Sequence, residues 1–367
     1  MFNWDKIYKP KEVVKQSGEL LKLDSWGETV AAENRPERNE DAILIEKEKG
    51  LFGILDGMGG HAAGSRASQE AKDYISENLR KLPDNLTLPL IQKELEKVFF
   101  GANTRLLSLA KEDPNLKEMG TTASIVKIWE SAQGDKKAII GNIGDSRVYI
   151  FRANKQLEQI TLDDNIVSQI SENEQEARVI QQRLNNVTDL NTLSSQERML
   201  FNRRNKISQA LGINEIKPRI YTIEVYEGDK IAITSDGVHD NLTDEEIAQI
   251  LHVTPDNRTT VENLIKASRD RNREEHPRAK ADDMSAIVVD IPFKEQVLSK
   301  KIIDFPEGKI VNVRRSNGEI ESDWQVFGFN PKTNCVIVRK FDTEGRIIQK
   351  KIPQEELRDL NNPENKN

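Results

Sequence analysis

Between residues 40 and 292 the chain alternates short apolar runs with polar turns. Residues 51–55, 121–128, 137–143, 147–151, 220–225, 230–234 and 284–291 are apolar and rich in β-branched residues, and residues 42–46 resemble them. Runs of this length bounded by turn residues predict β-strands. Residues 65–82, 89–111 and 261–270 instead carry apolar positions at helical spacing, which predicts helices. Strands mostly follow one another through short connections, and helices come in blocks. The pattern predicts an α+β fold with antiparallel pairing, not a doubly wound parallel sheet.

The pattern changes elsewhere. Residues 165–206 are rich in Gln, Glu, Asn and Arg and poor in aromatics, and read as short amphipathic helices forming a mobile insert at the edge of the core. Residues 1–19 read as an N-terminal extension, 20–292 as the main domain and 293–308 as a polar linker. In residues 309–367, four short strand-like runs separated by Asn317-Gly318, Asn330-Pro331 and Glu344-Gly345 predict a small β-rich, SH3-like module. Such a module binds a protein segment or packs on its neighbour. Leu357 and Leu360 start a short closing helix.

Composition narrows the function classes. The chain has 367 residues and a formal net charge of -7, which argues against a nucleic-acid partner; the basic clusters 269–273 and 332–340 have acids close by. No apolar run approaches the roughly 20 residues of a membrane span, and residues 1–22 show no secretory pattern. The single cysteine, Cys335, excludes intrachain disulfides and points to a reducing, cytoplasmic setting; within its strand it reads as a buried hydrophobe. Four histidines are too few for His-rich ligation. Hydrolytic chemistry would rest on carboxylates.

Carboxylates do stand where chemistry needs them. Two apolar runs end in Asp-Gly: Asp56-Gly57 and Asp236-Gly237. Asp282 precedes a third run, Asp145 sits in a tight turn between two more, and Glu40-Asp41 open the run at 42–46. Acids at the ends of buried strands are costly unless a positive charge satisfies them. Hard divalent cations, Mg²⁺ or Mn²⁺, are the natural partners of such a set. A glycine at position 57 lets a backbone carbonyl approach a metal. The segment from Gly57 to Ala62 also fits a dinucleotide fingerprint, but the second parallel strand ending in an acid is missing.

Asn39-Glu40-Asp41-Ala42, Asp56-Gly57-Met58-Gly59-Gly60-His61, Met119-Gly120-Thr121-Thr122-Ala123, Gly141-Asn142-Ile143-Gly144-Asp145-Ser146-Arg147, Ile207 to Gly212, Thr234-Ser235-Asp236-Gly237 and Asp282-Asp283-Met284-Ser285 occur in this order. Together they resemble the motif series of the metal-dependent, type 2C (PPM) protein Ser/Thr phosphatases, particularly the bacterial branch, over roughly residues 20–292. The resemblance implies an antiparallel β-sandwich flanked by helices, with two Mn²⁺ or Mg²⁺ ions at one end. It implies that Asp56 bridges both ions, that Asp236 and Asp282 complete one site, and that the Gly57 carbonyl serves the other. Glu40 and Asp41 would hold metal-bound waters, and Asp145 matches an acid that helps bind a third ion. Residues 165–206 fall where the family carries a flap. The implied reaction is direct attack of a metal-bound water on a phosphoprotein substrate, since the sequence offers no cysteine nucleophile in the core.

Three positions depart from the family. Its phosphate-binding arginine corresponds to Pro36, flanked by Arg35 and Arg38, either of which suits phosphate oxygens. Asp163-Asp164 stands where the family has Asp-His. Met58 stands where eukaryotic members often carry a histidine; His61 reads as structural, leaving the leaving-group proton donor open. These departures keep a rival reading open, that of a regulatory pseudophosphatase acting through the flap and the C-terminal module.

Overall fold

The computed structural model describes residues 23–59, 62–83, 86–131, 134–254 and 256–292, and in the C-terminal region 309–314, 319–330, 335–341, 347–353 and 356–357. The expected N-terminal extension, the linker 293–308, His61 and Leu360 lie outside them. The chain divides into two compact units, Met1–Pro292 and Phe293–Asn367.

The first unit contains β1 (Ser25–Val30), β2 (Asp41–Glu46), β3 (Leu51–Met58), β4 (Gly120–Thr121), β5 (Ala123–Glu130), β6 (Lys136–Ile143), β7 (Arg147–Phe151), β8 (Leu157–Gln159), β9 (Arg219–Val225), β10 (Lys230–Thr234) and β11 (Met284–Asp290). One sheet runs β1-β11-β10-β7-β8; the other runs β2-β3-β5-β6-β9, with β4 paired to β3. Neighbouring strands are antiparallel throughout.

The apolar strands are buried on both faces, and the period of two decides which core each side chain joins. Phe52, Ile54, Val126, Ile128 and Ile140 meet Val148, Ile150, Ile231, Ile233, Ile287 and Val289 between the sheets. Leu51, Leu55, Ile125 and Ile139 face outward onto α1 (Ala62–Arg80) and α2 (Leu88–Glu112). In the other sheet, Tyr149, Ala232 and Val288 face outward onto residues of α6 (Asp236–His239), α7 (Asp244–Val253) and α8 (Asn257–Asn272). The result is a β-sandwich covered by helices on both faces, the layering expected from the resemblance.

Local sequence explains how closely the layers approach. In α1, Ala63, Ala67, Ala71, Ile75 and Leu79 recur every fourth residue and are buried, so small side chains line most of the face turned to the sheet. A Cβ on Gly141 would lie 2.7 Å from the Phe99 ring; the bare backbone there lets α2 settle onto β6.

Two strands carry weak apolar signals. In β1 only the first residue is buried, and β8 has three residues, none buried. Both are edge strands, paired on one side only, so little apolar burial is required of them. Helix α7 starts at a capping box formed by Thr243 and Glu246, a signal independent of apolar runs.

The insert is a packed subassembly. Its helices α3 (Ile166–Ile170), α4 (Glu174–Asn185) and α5 (Ser195–Phe201) start at the capping side chains of Asn165, Asn173 and Ser194. Leu162, Val167, Ala177, Leu184, Val187, Leu193, Leu200 and Phe201 form its own core. In the basic cluster 269–273, Arg271 pairs with Glu246 and Arg273 with Glu33.

In the second unit, β12 (Ile310–Arg314), β13 (Ile320–Asn330), β14 (Cys335–Phe341) and β15 (Ile347–Pro353) pair in chain order as an antiparallel meander. Val311, Val313, Trp324, Val326, Val336, Val338, Ile352 and Leu357 are its core. Cys335 is only half-buried, which corrects the expectation of a buried hydrophobe. It opens β14, and the strand's alternation turns Val336 and Val338 inward instead.

Phe52 is fully buried between the sheets. Phe52→Ala is expected to cost about 3–5 kcal/mol, read as a lower urea midpoint with an unchanged denaturant slope.

Candidate active site

Acids from both sheets meet at one end of the sandwich. Asp41 begins β2 and lies opposite Asp56 of β3 in the ladder. Asp145 lies between β6 and β7, Asp236 follows β10 as the first residue of α6, and Asp282 and Asp283 precede β11. Ser285 Oγ, on β11 in the other sheet, donates to Asp41 Oδ2 at 2.6 Å. Asp283 accepts the Ala32 and Glu40 backbone N–H groups, both at 2.8 Å. The Ser285–Asp41 and Glu40–Asp283 bonds tie the two sheets together beside the acids.

The Asp56 segment is locked by its backbone. Thr121 Oγ1 and the Thr122 N–H donate to the Asp56 carbonyl at 2.9 and 2.8 Å, and the Asp56 N–H donates to Thr122 Oγ1 at 3.0 Å. A Cβ on Gly57 would fall 2.6 Å from the Glu40 carbonyl oxygen and closer still to that of Gly64. Glycine is therefore required at 57 for close packing of β3 against the start of β2 and α1. Met58 packs over Gly120.

Burial pushes the Asp56 carboxyl well above the usual carboxylate range, and Asp41, Asp236, Asp282 and Asp145 push it further. Asp41 is raised by burial and then by Asp283 and Asp236, against hydrogen bonds from Ser285 and Ser235. Burial and Asp236 raise Asp145. Asp236 is raised to about 6 by burial, with Lys280 opposing and Asp282 and Asp240 adding to the rise. These shifts have a common physical origin: like charges packed together away from water. Glu40 Oε1, Asp41 Oδ1 and Asp236 Oδ1 are buried and have no hydrogen-bond partner among the described residues.

Among the described residues, Arg35 and Lys280 reach into the cluster. Arg35 Nη1 donates to Glu40 Oε2 and Nη2 to Asp282 Oδ1, both at 2.6 Å, with Asp283 Oδ2 at 3.2 Å. Among the described residues, Arg38 pairs with Glu40 Oε2, at 3.0 Å. Thus Arg35 lies against the acids from both sheets and Arg38 at their margin. The second cation is Lys280, whose Nζ pairs with Asp236 Oδ2, Asp282 Oδ2 at 3.2 Å and Asp240 Oδ2 at 3.4 Å. Among the described residues no three acid side chains form a ready-made metal cage; their oxygens are shared with Arg35 and Lys280.

Lys280 and Asp240 escape a reading that follows apolar runs and the acids at their ends. Asp240 stands four residues after Asp236, which on a helix means the same face. Lys280 stands two residues before Asp282, a basic residue beside a buried acid. The Asp163-Asp164 pair also has a structural account. Asp163 makes a buried bidentate pair with Arg147, and Asp164 pairs with Arg219 while accepting the Gly144 N–H at 3.0 Å.

The sequence profile of the protein phosphatase 2C family matches residues 31–278, a span that includes Arg35, Asp56 and Asp236 and stops short of Lys280 and Asp282. The serine/threonine protein phosphatase PstP of Mycobacterium tuberculosis is 28% identical over 215 residues, 59% of this chain and 36% of PstP. The chain therefore spans about a third of that relative's length. The serine/threonine phosphatase stp of Listeria innocua is 26% identical over 58% of this chain and 77% of its own. The crystal structure of the PstP catalytic domain in complex with two manganese ions superposes with a TM-score of 0.56 at 25% identity, covering 74% of this chain and 99% of that one.

Gly57→Ala is expected to lower the thermal midpoint by several degrees, because the new methyl meets backbone atoms, which cannot rotate away as side chains can; differential scanning calorimetry of the full chain reads the shift.

Proposed function

Because the chain belongs to the protein phosphatase 2C family, we propose that it hydrolyses phosphoserine and phosphothreonine monoesters in proteins at the cluster built by Asp56, Asp236 and Asp282. The observation that carries this reading is a group of buried carboxylates whose raised proton affinity comes from burial and mutual repulsion, with unpartnered oxygens on Asp41, Asp236 and Glu40. That donor set suits hard divalent cations.

Asp56, Asp236, Asp282 and the Gly57 carbonyl would hold two Mn²⁺ or Mg²⁺ ions, with Glu40 and Asp41 beside them and Asp145 available to a third. Such ions supply an activated water and neutralise phosphoryl oxygens in an in-line displacement. The rest of the chemistry belongs to the chain. Thr121 and Thr122 fix the Asp56 backbone, and Ser285 orients Asp41. Arg35 is the better placed phosphate ligand. It is one-quarter exposed, it reaches acids of both sheets, and its planar fork matches two phosphate oxygens. Arg38 steadies Glu40.

The whole protein's substrate is part of the proposal. A phosphorylated segment lying across the sandwich end would meet Arg35. The insert, joined by the Arg204–Asp240 pair to the residue that follows α6, would supply the adjoining wall.

The test is hydrolysis of p-nitrophenyl phosphate and a phosphothreonine peptide by the full chain with and without Mn²⁺. Activity is expected only with the metal, with losses of at least about 100-fold in kcat for Asp56→Asn and Asp282→Asn. Arg35→Ala is expected to raise KM for the peptide more than Arg38→Ala does. Activity that survives chelation, or both carboxylate substitutions, overturns the reading. Metal binding without turnover favours the regulatory pseudophosphatase.

A further inference from the structure

Lys280 is the least expected member of the cluster. It is buried among Asp236, Asp240, Asp282 and Asp145, all of which hold its proton more tightly, against a burial penalty. Its ammonium touches oxygens of Asp236 and Asp282, two of the carboxylates assigned to the metal site, and of Asp240, which is outside that set. Asp240 is in turn held by Arg204 of the insert, Nε to Oδ1 at 2.9 Å.

We propose that Lys280 is a built-in competitor for the metal site, contending with a divalent cation for the oxygens of Asp236 and Asp282, and that Asp240 is the alternative seat that lets the ammonium yield. The proposal rests on the metal-site reading above and adds a determinant of its affinity. The physical case is direct. A carboxylate oxygen engaged by an ammonium is less available to a metal, and positive charge placed beside the site opposes another positive charge. A lysine suits the role because its charge rides on a flexible four-carbon stem and has three rotatable donors. The ammonium can turn from Asp236 towards Asp240 with its backbone fixed by the Lys280 N–H bond to Asn241 Oδ1 at 2.9 Å. Asp240 is already within reach: its Oδ2 lies 3.4 Å from the ammonium, while Arg204 holds the other oxygen. Because Arg204 belongs to the insert, metal occupancy and the seating of the insert would be coupled through one carboxylate, and such coupling is reciprocal.

Isothermal titration calorimetry of the full chain with Mn²⁺ at fixed pH tests this without measuring turnover. Lys280→Met and the polar Lys280→Gln are each expected to bind Mn²⁺ about tenfold more tightly or better. Asp240→Asn is expected to weaken binding in the native background, because the ammonium is left with Asp236 and Asp282, and to have little effect in the Lys280→Met background. The double-mutant cycle separates this route from a simple loss of negative charge. Unchanged or weaker binding in the folded Lys280 variants overturns the proposal, as does an Asp240→Asn effect of equal size in both backgrounds. Native protein that binds no Mn²⁺ overturns the metal-site reading beneath it; native binding with unaltered variants overturns the competitor alone.

Discussion

Carboxylates buried together repel one another, and each loses hydration as well. Either cost alone would favour protonation or exposure. The end of this sandwich carries both costs at Asp41, Asp56, Asp145 and Asp236. Much of the surrounding structure serves to hold the acids in place despite them. Arg35 and Lys280 supply positive charge. Ser285 and the Glu40 backbone N–H bind carboxylate oxygens from across the sheets, and the Ala32 N–H binds Asp283 within one sheet. Rigidity comes from the strands themselves, whose side chains fill a core on each face.

The same constraint explains the chemistry. Acids that would rather be protonated have a strong use for a divalent cation, and the two sheets fix the backbones that carry them, so the side chains of Arg35 and Lys280 are the parts left to move. Arg35 is attached to this frame through Glu40 and Asp282, so on the proposed reading a phosphate held by it would lie against the same carboxylates. Pro36 stands where the resemblance leads one to expect an arginine, and the Arg35 guanidinium reaches the cluster from the preceding residue.

The fold was largely legible in the sequence because its strands are apolar on both faces and stand out as continuous runs. The edge strands β1 and β8 were not, since pairing on one side demands little apolar burial. The insert was legible as helices, and its caps Asn165, Asn173 and Ser194 are local signals. Its core was not, because Leu162, Leu184 and Phe201 are far apart in sequence and meet only when the helices fold back. Among the described residues, no helix is long and apolar enough to cross a membrane.

Asp56-Gly57, Asp236 and Asp282 could be picked out from the sequence because each sits at the end of an apolar run, and the order of the motifs pointed to the family. The sequence by itself determined which residues are strand ends and which acids stand there, since those are local properties of hydrophobic pattern and turn chemistry. Only the tertiary structure decided which charges face one another. Asp41 meets Ser285 across 244 positions of chain and Arg35 meets Asp282 across 247. Lys280 finds Asp236 through the return of β11 beside β10. Electrostatic energy depends on distance in space and on exclusion of water, and neither is set until the two sheets have closed on each other.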